Sequence, residues 1–148
     1  MGRHEIKWDP FDRNDPGPCI KVAIMNSSDV IERWRALGFH CPEKIQVTAL
    51  IDTGASTTVI SKIFANHCKL FQTGEGTLVT TLAGSAVCGE HAGAISFPGT
   101  NLRSFDSHRI ISGEFVGEKY YSCLIGRDVL RNWHIAFDGQ RKLVRIED

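Results

Sequence analysis

No stretch of this 148-residue chain approaches the roughly 20 consecutive apolar residues that a membrane-spanning helix needs. Nor does either sign of charge prevail: Lys plus Arg and Asp plus Glu number 17 each, and no basic tract stands out, which excludes the electrostatic footprint of a nucleic-acid binder. The opening "MGRHEIKWDPFDRNDPGPC" has no continuous apolar segment and carries several acidic residues, unlike a secretory or transit peptide. Met1-Gly2 starts like a myristoylation signal, but Ile6 stands where Ser or Thr is required. Five cysteines, Cys19, Cys41, Cys68, Cys88 and Cys123, are odd in number and widely scattered, which suits reduced thiols in the cytoplasm better than a disulfide framework. His40-Cys41 and His67-Cys68 lack the close paired spacing of zinc ligands, so buried thiols and surface histidines are expected, with no metal and no cofactor. The glycine-rich "GEGTLVTTLAGSAVCG" has neither the Gly-Lys-Ser/Thr of a phosphate-binding loop nor a convincing dinucleotide fingerprint. Signatures for a serine or cysteine nucleophile are missing too.

What is present is a core-forming composition, 42% hydrophobic and 23% charged, of a length that suits one domain. Residues 1–17, with Pro10, Pro16 and several Asp and Asn, read as an irregular or mobile lead-in, and residues 18–148 as a single domain. "CIKVAIM" alternates with Ile20, Val22 and Ile24 on one face, as a half-buried strand does. In "NSSDVIERWRALGF", Asp29 can cap a helix, Val30, Ile31, Trp34 and Leu37 form its apolar stripe, and Gly38 can end it. "KIQVTALI" alternates again and runs into Asp52. "SKIFANHCKLF" fits a short helix or a buried loop equally well. Residues 76–97, rich in Thr, Val and Ile and broken by glycine, predict strands and hairpins. "HRIISGEFVG" and "KYYSCLI" read as two more strands, "GRDVLRNW" as two helical turns, and "HIAFDGQRKLVRI" as a hairpin turning at Asp138-Gly139. Many short strands and only two or three short helices predict a mostly β domain closed as a barrel.

Within "ALIDTGASTTVIS", Asp52 sits at the end of an apolar strand, where a carboxylate is costly to bury unless it is paired or hydrogen-bonded. Thr53 and Gly54 predict a tight turn whose amides and hydroxyl hold the charge, with glycine removing the steric bar to unusual backbone angles. For the triplet taken alone, an Asx-type turn at a strand end is the favoured reading. About seventy residues later, "CLIGRDVLRNW" repeats the arrangement of an apolar strand, a glycine and a short helix.

With this pair of motifs, over roughly Ile45 to Ile146, the chain resembles the retropepsin-like aspartic proteases. In that family the segment matching Leu124, Ile125, Gly126, Arg127 and Asp128 packs behind the catalytic loop. The resemblance implies a closed acid-protease barrel with a helix-containing insertion around residues 27–43. It also implies an aspartic endopeptidase needing no cofactor or metal. One chain supplies a single Asp-Thr-Gly, so the implied enzyme is a homodimer with Asp52 of each subunit on the two-fold axis, acting on a peptide or protein substrate. Asp52, Thr53 and Gly54 are the implied catalytic segment. Thr53 would lock the two loops across the axis, and Ala55 and Ser56 would border the peptide. Leu82, Ala83, Gly84 and Ser85 would form the tip of a flap closing over it. Viral members place Asp where Ser56 stands and pair it with the arginine, so Arg127 is expected to find a backbone carbonyl or Asp128 instead. Their termini also build part of the dimer interface, which here must be made differently or only in part. The rival expectation is a dimeric peptide-binding or scaffolding module that keeps the fold without cutting.

Overall fold

A computed structural model describes every residue except 82 and 83. In chain order the elements are β1 (Arg3–Lys7), β2 (Cys19–Asn26), α1 (Ser28–Ala36), β3 (Ile45–Ile51), β4 (Val59–Ser61), α2 (Lys62–His67) and β5 (Phe71–Thr81). There follow β6 (Gly84–Ser96), β7 (Phe105–Gly113), β8 (Cys123–Ile125), α3 (Arg127–Leu130), β9 (His134–Asp138) and β10 (Leu143–Glu147). Seven strands form one sheet in the order β2-β3-β8-β4-β7-β6-β5, and β2 also pairs with β6, so six of them close on themselves as a ring. Closure removes the exposed edges that an open sheet of this size would carry. The mostly β class with three short helices among the described residues is as the sequence predicts. The period-two faces are the ones buried: Ile20, Val22 and Ile24 of β2 and Val47, Ala49 and Ile51 of β3 enter a common core with Ile60, Ile110 and Ile125.

Three local expectations are corrected and one ambiguity is resolved. The lead-in is not wholly irregular, because β1 pairs antiparallel with β10, and Ile6 is buried against the core. That partner lies at the far end of the chain, so no local pattern announces the strand. Residues 9–17 are irregular but tied by aspartates: Asp9, Asp12 and Asp15 accept from the amides of Phe11, Asn14 and Gly17. In α1 the N-cap is Ser27, whose hydroxyl donates to Asp29, and only Val30 of the apolar stripe is buried. Leu37 is exposed, since the short helix rests on the sheet through its first turn, where Asp106 holds Ser28. The ambiguous "SKIFANHCKLF" resolves into α2. Finally, the last hairpin does not turn on Asp138-Gly139 alone; four residues connect its strands, and the positive φ falls on Lys142.

The five cysteines are free, with Cys68 and Cys123 buried. His40 and His67 lie on the surface, whereas His91 is buried on β6 between the Leu70 carbonyl and the Ser112 hydroxyl. Burial pushes the His91 imidazole below its ordinary value of 6.5, despite the Leu70 carbonyl that favours its charged form. The unfolded chain therefore takes up this proton first as pH falls. Stability is expected to decline from about pH 6.5 downward to the folded pKa. His91→Gln should flatten that part of the curve, read as the urea midpoint against pH.

Candidate active site

The Asp52 loop is built by three strands. β3 ends at Ile51, the chain loops through residues 52–58, and it returns as β4; β8 lies between them, parallel to β3 and antiparallel to β4. Both ends of the loop are thus pinned to one short strand. The Asp52 amide donates to the Ile125 carbonyl at 3.0 Å, continuing the β3–β8 ladder one residue into the loop. Asp52 is half-buried while Thr53 and Gly54 are exposed. The Gly54 amide donates to Asp52 Oδ1 at 2.8 Å, so the loop's own backbone fixes one carboxylate oxygen.

Glycine at position 54 answers to space rather than to an unusual backbone angle. Its φ is not positive, but a Cβ there would stand 3.1 Å from Asp52 Oδ1, crowding the contact its amide makes. Gly126 is more tightly constrained: an added Cβ would lie 2.6 Å from the Thr57 carbonyl carbon and 2.7 Å from its oxygen. The end of β8 is pressed directly against the loop backbone.

Arg127 and Asp128 hold the loop from below in different ways. The Arg127 amide donates to the Ala55 carbonyl at 2.9 Å, and its guanidinium donates to the carbonyls of Thr53 at 2.9 Å and Gly54 at 3.2 Å. Of the two partners expected for Arg127, the backbone carbonyl is the one found. Asp128 instead receives the amide and hydroxyl of the fully buried Thr58 at 3.0 and 2.9 Å, the Val129 amide at 3.0 Å, and Nε2 of His108 at 2.8 Å. The Thr58 hydroxyl in turn accepts from the Gly126 amide at 3.2 Å.

Burial works against the charged form of Asp128, yet the hydrogen bonds from His108 and Thr58 prevail and hold its pKa below the ordinary 3.8. A depressed carboxyl pKa stabilises the fold above the unfolded value, and the contribution is lost as pH falls through the folded one. Asp128→Ala would remove the acceptor of the Thr58 amide and hydroxyl and of His108 Nε2. A loss on the order of 2–4 kcal/mol is expected, measurable by urea denaturation at neutral pH, with its difference from the parent protein shrinking as pH falls through the lowered pKa of Asp128.

Beside the loop lies a cavity of about 610 Å³. Its walls come from β4 (Val59), β8 (Leu124), the β5–β6 hairpin (Val79, Val87) and the segment after β7 (Phe115, Tyr121). Asp52 does not line it, but Leu124 pairs with both Leu50 and Val59, which places the cavity against the strands that carry the loop. Tyr121 is one of the lining residues; burial raises its pKa first, then the neighbouring Glu118 carboxylate, with the charge of Asp52 contributing less. Burial, with Asp15 and Glu118, also pushes the Cys19 thiol up to about 11, which disfavours a thiolate nucleophile there.

Of the residues expected at the site, Asp52 to Ser56 come together with Gly126 to Asp128 in one loop assembly, and Leu124 reaches the cavity wall. Gly84 and Ser85 also line the cavity, at the paired end of the β5–β6 hairpin where Thr81 faces Gly84. Leu82 and Ala83 lie outside the described residues. Ala55 and Ser56 stand in the loop rather than in the cavity. Sequence reasoning missed His108 and Tyr121. Nothing local singles out His108, whereas Tyr121, three residues before Leu124, was within reach of the motif.

No protein-family model matches the chain, and no curated protein sequence matches it. Among solved structures, it is similar to one described as the crystal structure of a retropepsin-like aspartic protease from Rickettsia conorii, with a TM-score of 0.56 at 16% identity over 98% of this chain and 90% of that one. It is also similar to the EIAV protease complexed with the inhibitor HBY-793, with a TM-score of 0.49 at 19% identity over 82% of this chain and 92% of that one. The strand ring, the β8-braced loop and the Rickettsia likeness agree on one conclusion: the chain has the fold of the retropepsin-like aspartic proteases.

Proposed function

We propose that this protein is a homodimeric aspartic endopeptidase of the cytoplasm that hydrolyses extended peptide segments. The observation that carries the reading is a half-buried carboxylate, Asp52, at the end of a core strand, in a loop braced from below by Gly126, Arg127 and Asp128 and opening beside an apolar cavity. A rigid support of this kind favours a group whose position must be exact in chemistry.

The chemistry needs two such carboxylates. With Asp52 of each subunit at the axis, like charges in close proximity cannot both ionise readily, so the pair shares a proton; aspartic proteases are the standard example of this effect. The ionised Asp52 takes a proton from a water molecule held between the two, and that water attacks the scissile carbonyl carbon. The protonated Asp52 donates to the carbonyl oxygen; the Asp52 that took the water's proton then passes it to the scissile nitrogen, the C–N bond breaks to release the amine, and a hydroxyl proton of the intermediate returns to the other Asp52 as the carboxylic acid product forms, with no covalent enzyme adduct. Thr53, exposed at the loop tip, is assigned to locking the two loops together. Gly54 offers its backbone, and Ala55 and Ser56 border the peptide. The β5–β6 hairpin with Gly84 and Ser85 serves as the flap, and its exposed Leu78 and Val87 supply apolar surface for closing over substrate and excluding water.

Incubating the purified protein with a diverse peptide library between about pH 4 and 7, with and without pepstatin, tests the reading. Pepstatin-sensitive cleavage with a bell-shaped pH profile is expected. Peptide capture without cleavage would replace it with a binding module on the same fold.

A further inference from the structure

The cavity beside the Asp52 loop has one buried polar side chain among its lining residues, Ser112 of β7. What that hydroxyl offers to an occupant is set by the histidine behind it; for a peptide occupant this rests on the protease reading above. Ser112 Oγ lies 2.9 Å from His91 Nε2, and His91 Nδ1 lies 3.3 Å from the Leu70 carbonyl oxygen. A carbonyl can only accept, so Nδ1 carries a hydrogen in either charge state of the ring. In the neutral ring Nε2 is then an acceptor, Ser112 donates to it, and the hydroxyl presents only lone pairs to the cavity. In the charged ring Nε2 donates, Ser112 accepts, and the hydroxyl hydrogen is free to turn outward. One proton on a histidine that does not line the cavity thus reverses the hydrogen-bonding sense of a serine that does.

Glycine keeps the pair open to an occupant. Gly89 faces Ser112 in the β6–β7 ladder and lines the same cavity, and a Cβ there would stand 2.7 Å from Ser112 Oγ and 3.0 Å from His91 Nε2. No second hydrogen bond engages the Ser112 hydroxyl among the described residues. Charge around the ring is fixed or turned away. Glu90 of β6 and Arg109 of β7 pair with one another at 2.9 Å, on the other face of the sheet by alternation. Gln72, opposite His91 on β5, and Asn26 of β2 are neutral, and burial raises the Cys68 thiol. His67 and Lys69, before β5, are exposed, while Cys88, Lys62, Glu114 and Glu118 stand on the cavity wall. Burial and the Leu70 carbonyl alone set the position of the His91 pKa, so the reversal falls on the acid side of 6.5, where paired carboxylates carry out their chemistry.

We propose that Ser112 is a specificity-determining residue of the cavity and that His91 switches it: with His91 neutral the cavity selects a substrate side chain that donates, such as the Gln amide, and with His91 charged one that accepts, such as the Glu carboxylate. A peptide cut from the library described above, or captured from it if none is cut, is remade with Glu or Gln at successive positions. At one position the ratio of kcat/KM for Glu over Gln should rise about tenfold as pH falls from about 7, with its midpoint at the His91 pKa read by NMR from the Cε1 proton of the same protein. Ser112→Ala should flatten that rise. On Asp52→Asn protein, saturating Glu peptide should leave the His91 pKa about one pH unit higher than saturating Gln peptide does, as linkage requires for a tenfold preference. A midpoint that follows the peptide's own carboxylate near about pH 4.3 overturns the proposal, as does a His91 pKa indifferent to which peptide is bound. The protease reading fails separately: peptides held but not cut, with His91 still responding to Glu over Gln, keep the switch and remove the enzyme, and cutting without that response does the reverse. A protein that takes up no peptide removes both.

Discussion

Asp52→Asn will leave the protein folded and lower kcat for peptide hydrolysis by about 10²–10⁴-fold, the range a positioned general acid or base contributes. The substitution keeps the shape of the side chain and an oxygen that can accept from the Gly54 amide, the one hydrogen bond the Asp52 side chain makes among the described residues. Because the residue is half-buried at a loop tip rather than in the core, Tm should move by less than about 2 °C. KM should change little, since the cavity walls come from other residues. Steady-state kinetics on one cleaved peptide, together with a thermal melt, checks all three at once. Full activity in this variant would remove Asp52 from the chemistry. An inactive variant that still binds the peptide would show the carboxylate acting on the transition state rather than on affinity.

Gly126→Ala should be the most damaging single-methyl change at the site. The new Cβ would meet three backbone atoms of Thr57, its carbonyl carbon at 2.6 Å, its oxygen at 2.7 Å and its nitrogen at 2.9 Å. No flexible side chain can swing away, so either β8 or the Asp52 loop must shift. Movement of either strains the Asp52–Ile125 hydrogen bond and the Thr58–Asp128 pair together. A loss of about 3 kcal/mol or more is expected, seen as a fall in Tm of about 6–12 °C in a chain of this size, with activity falling alongside. Gly139→Ala is the matched control: no heavy atom lies within 4 Å of its added methyl group and its φ is not positive, so stability should change by less than about 0.5 kcal/mol. A Gly126→Ala protein that melts with the parent would mean that β8 is not the rigid back of the loop.

The Asp52 loop was more legible than its supports. Asp52, Gly54 and the Gly126-Arg127-Asp128 segment are visible as motifs because strand, turn and helix start follow one another within a few residues. The assignment of Arg127 to backbone carbonyls needed the structure, since its guanidinium reaches Thr53 and Gly54 more than seventy residues away. His108 was invisible for the same reason. It stands in an unremarkable stretch of β7, and only the ring of strands brings its Nε2 to Asp128. The exposed Leu37 of α1 shows the opposite error: a helical stripe predicts a buried face, but a nine-residue helix can cover the sheet with its first turn alone.

By itself the sequence determined what is settled over short distances. Side-chain alternation chose the buried faces of β2 and β3, Gly38 ended α1, and the apolar run into Asp-Thr-Gly put a carboxylate at the end of a core strand. These outcomes depend on backbone sterics and period, which act within a turn or a strand. Tertiary structure decided everything that required distant segments to meet: β8 entering between β3 and β4, β1 closing on β10, and His108 reaching Asp128 behind the loop. Such pairings are selected by the burial and hydrogen bonding of the whole chain at once, after the entropy of long loops has been overcome, and no local pattern encodes which partner will be there.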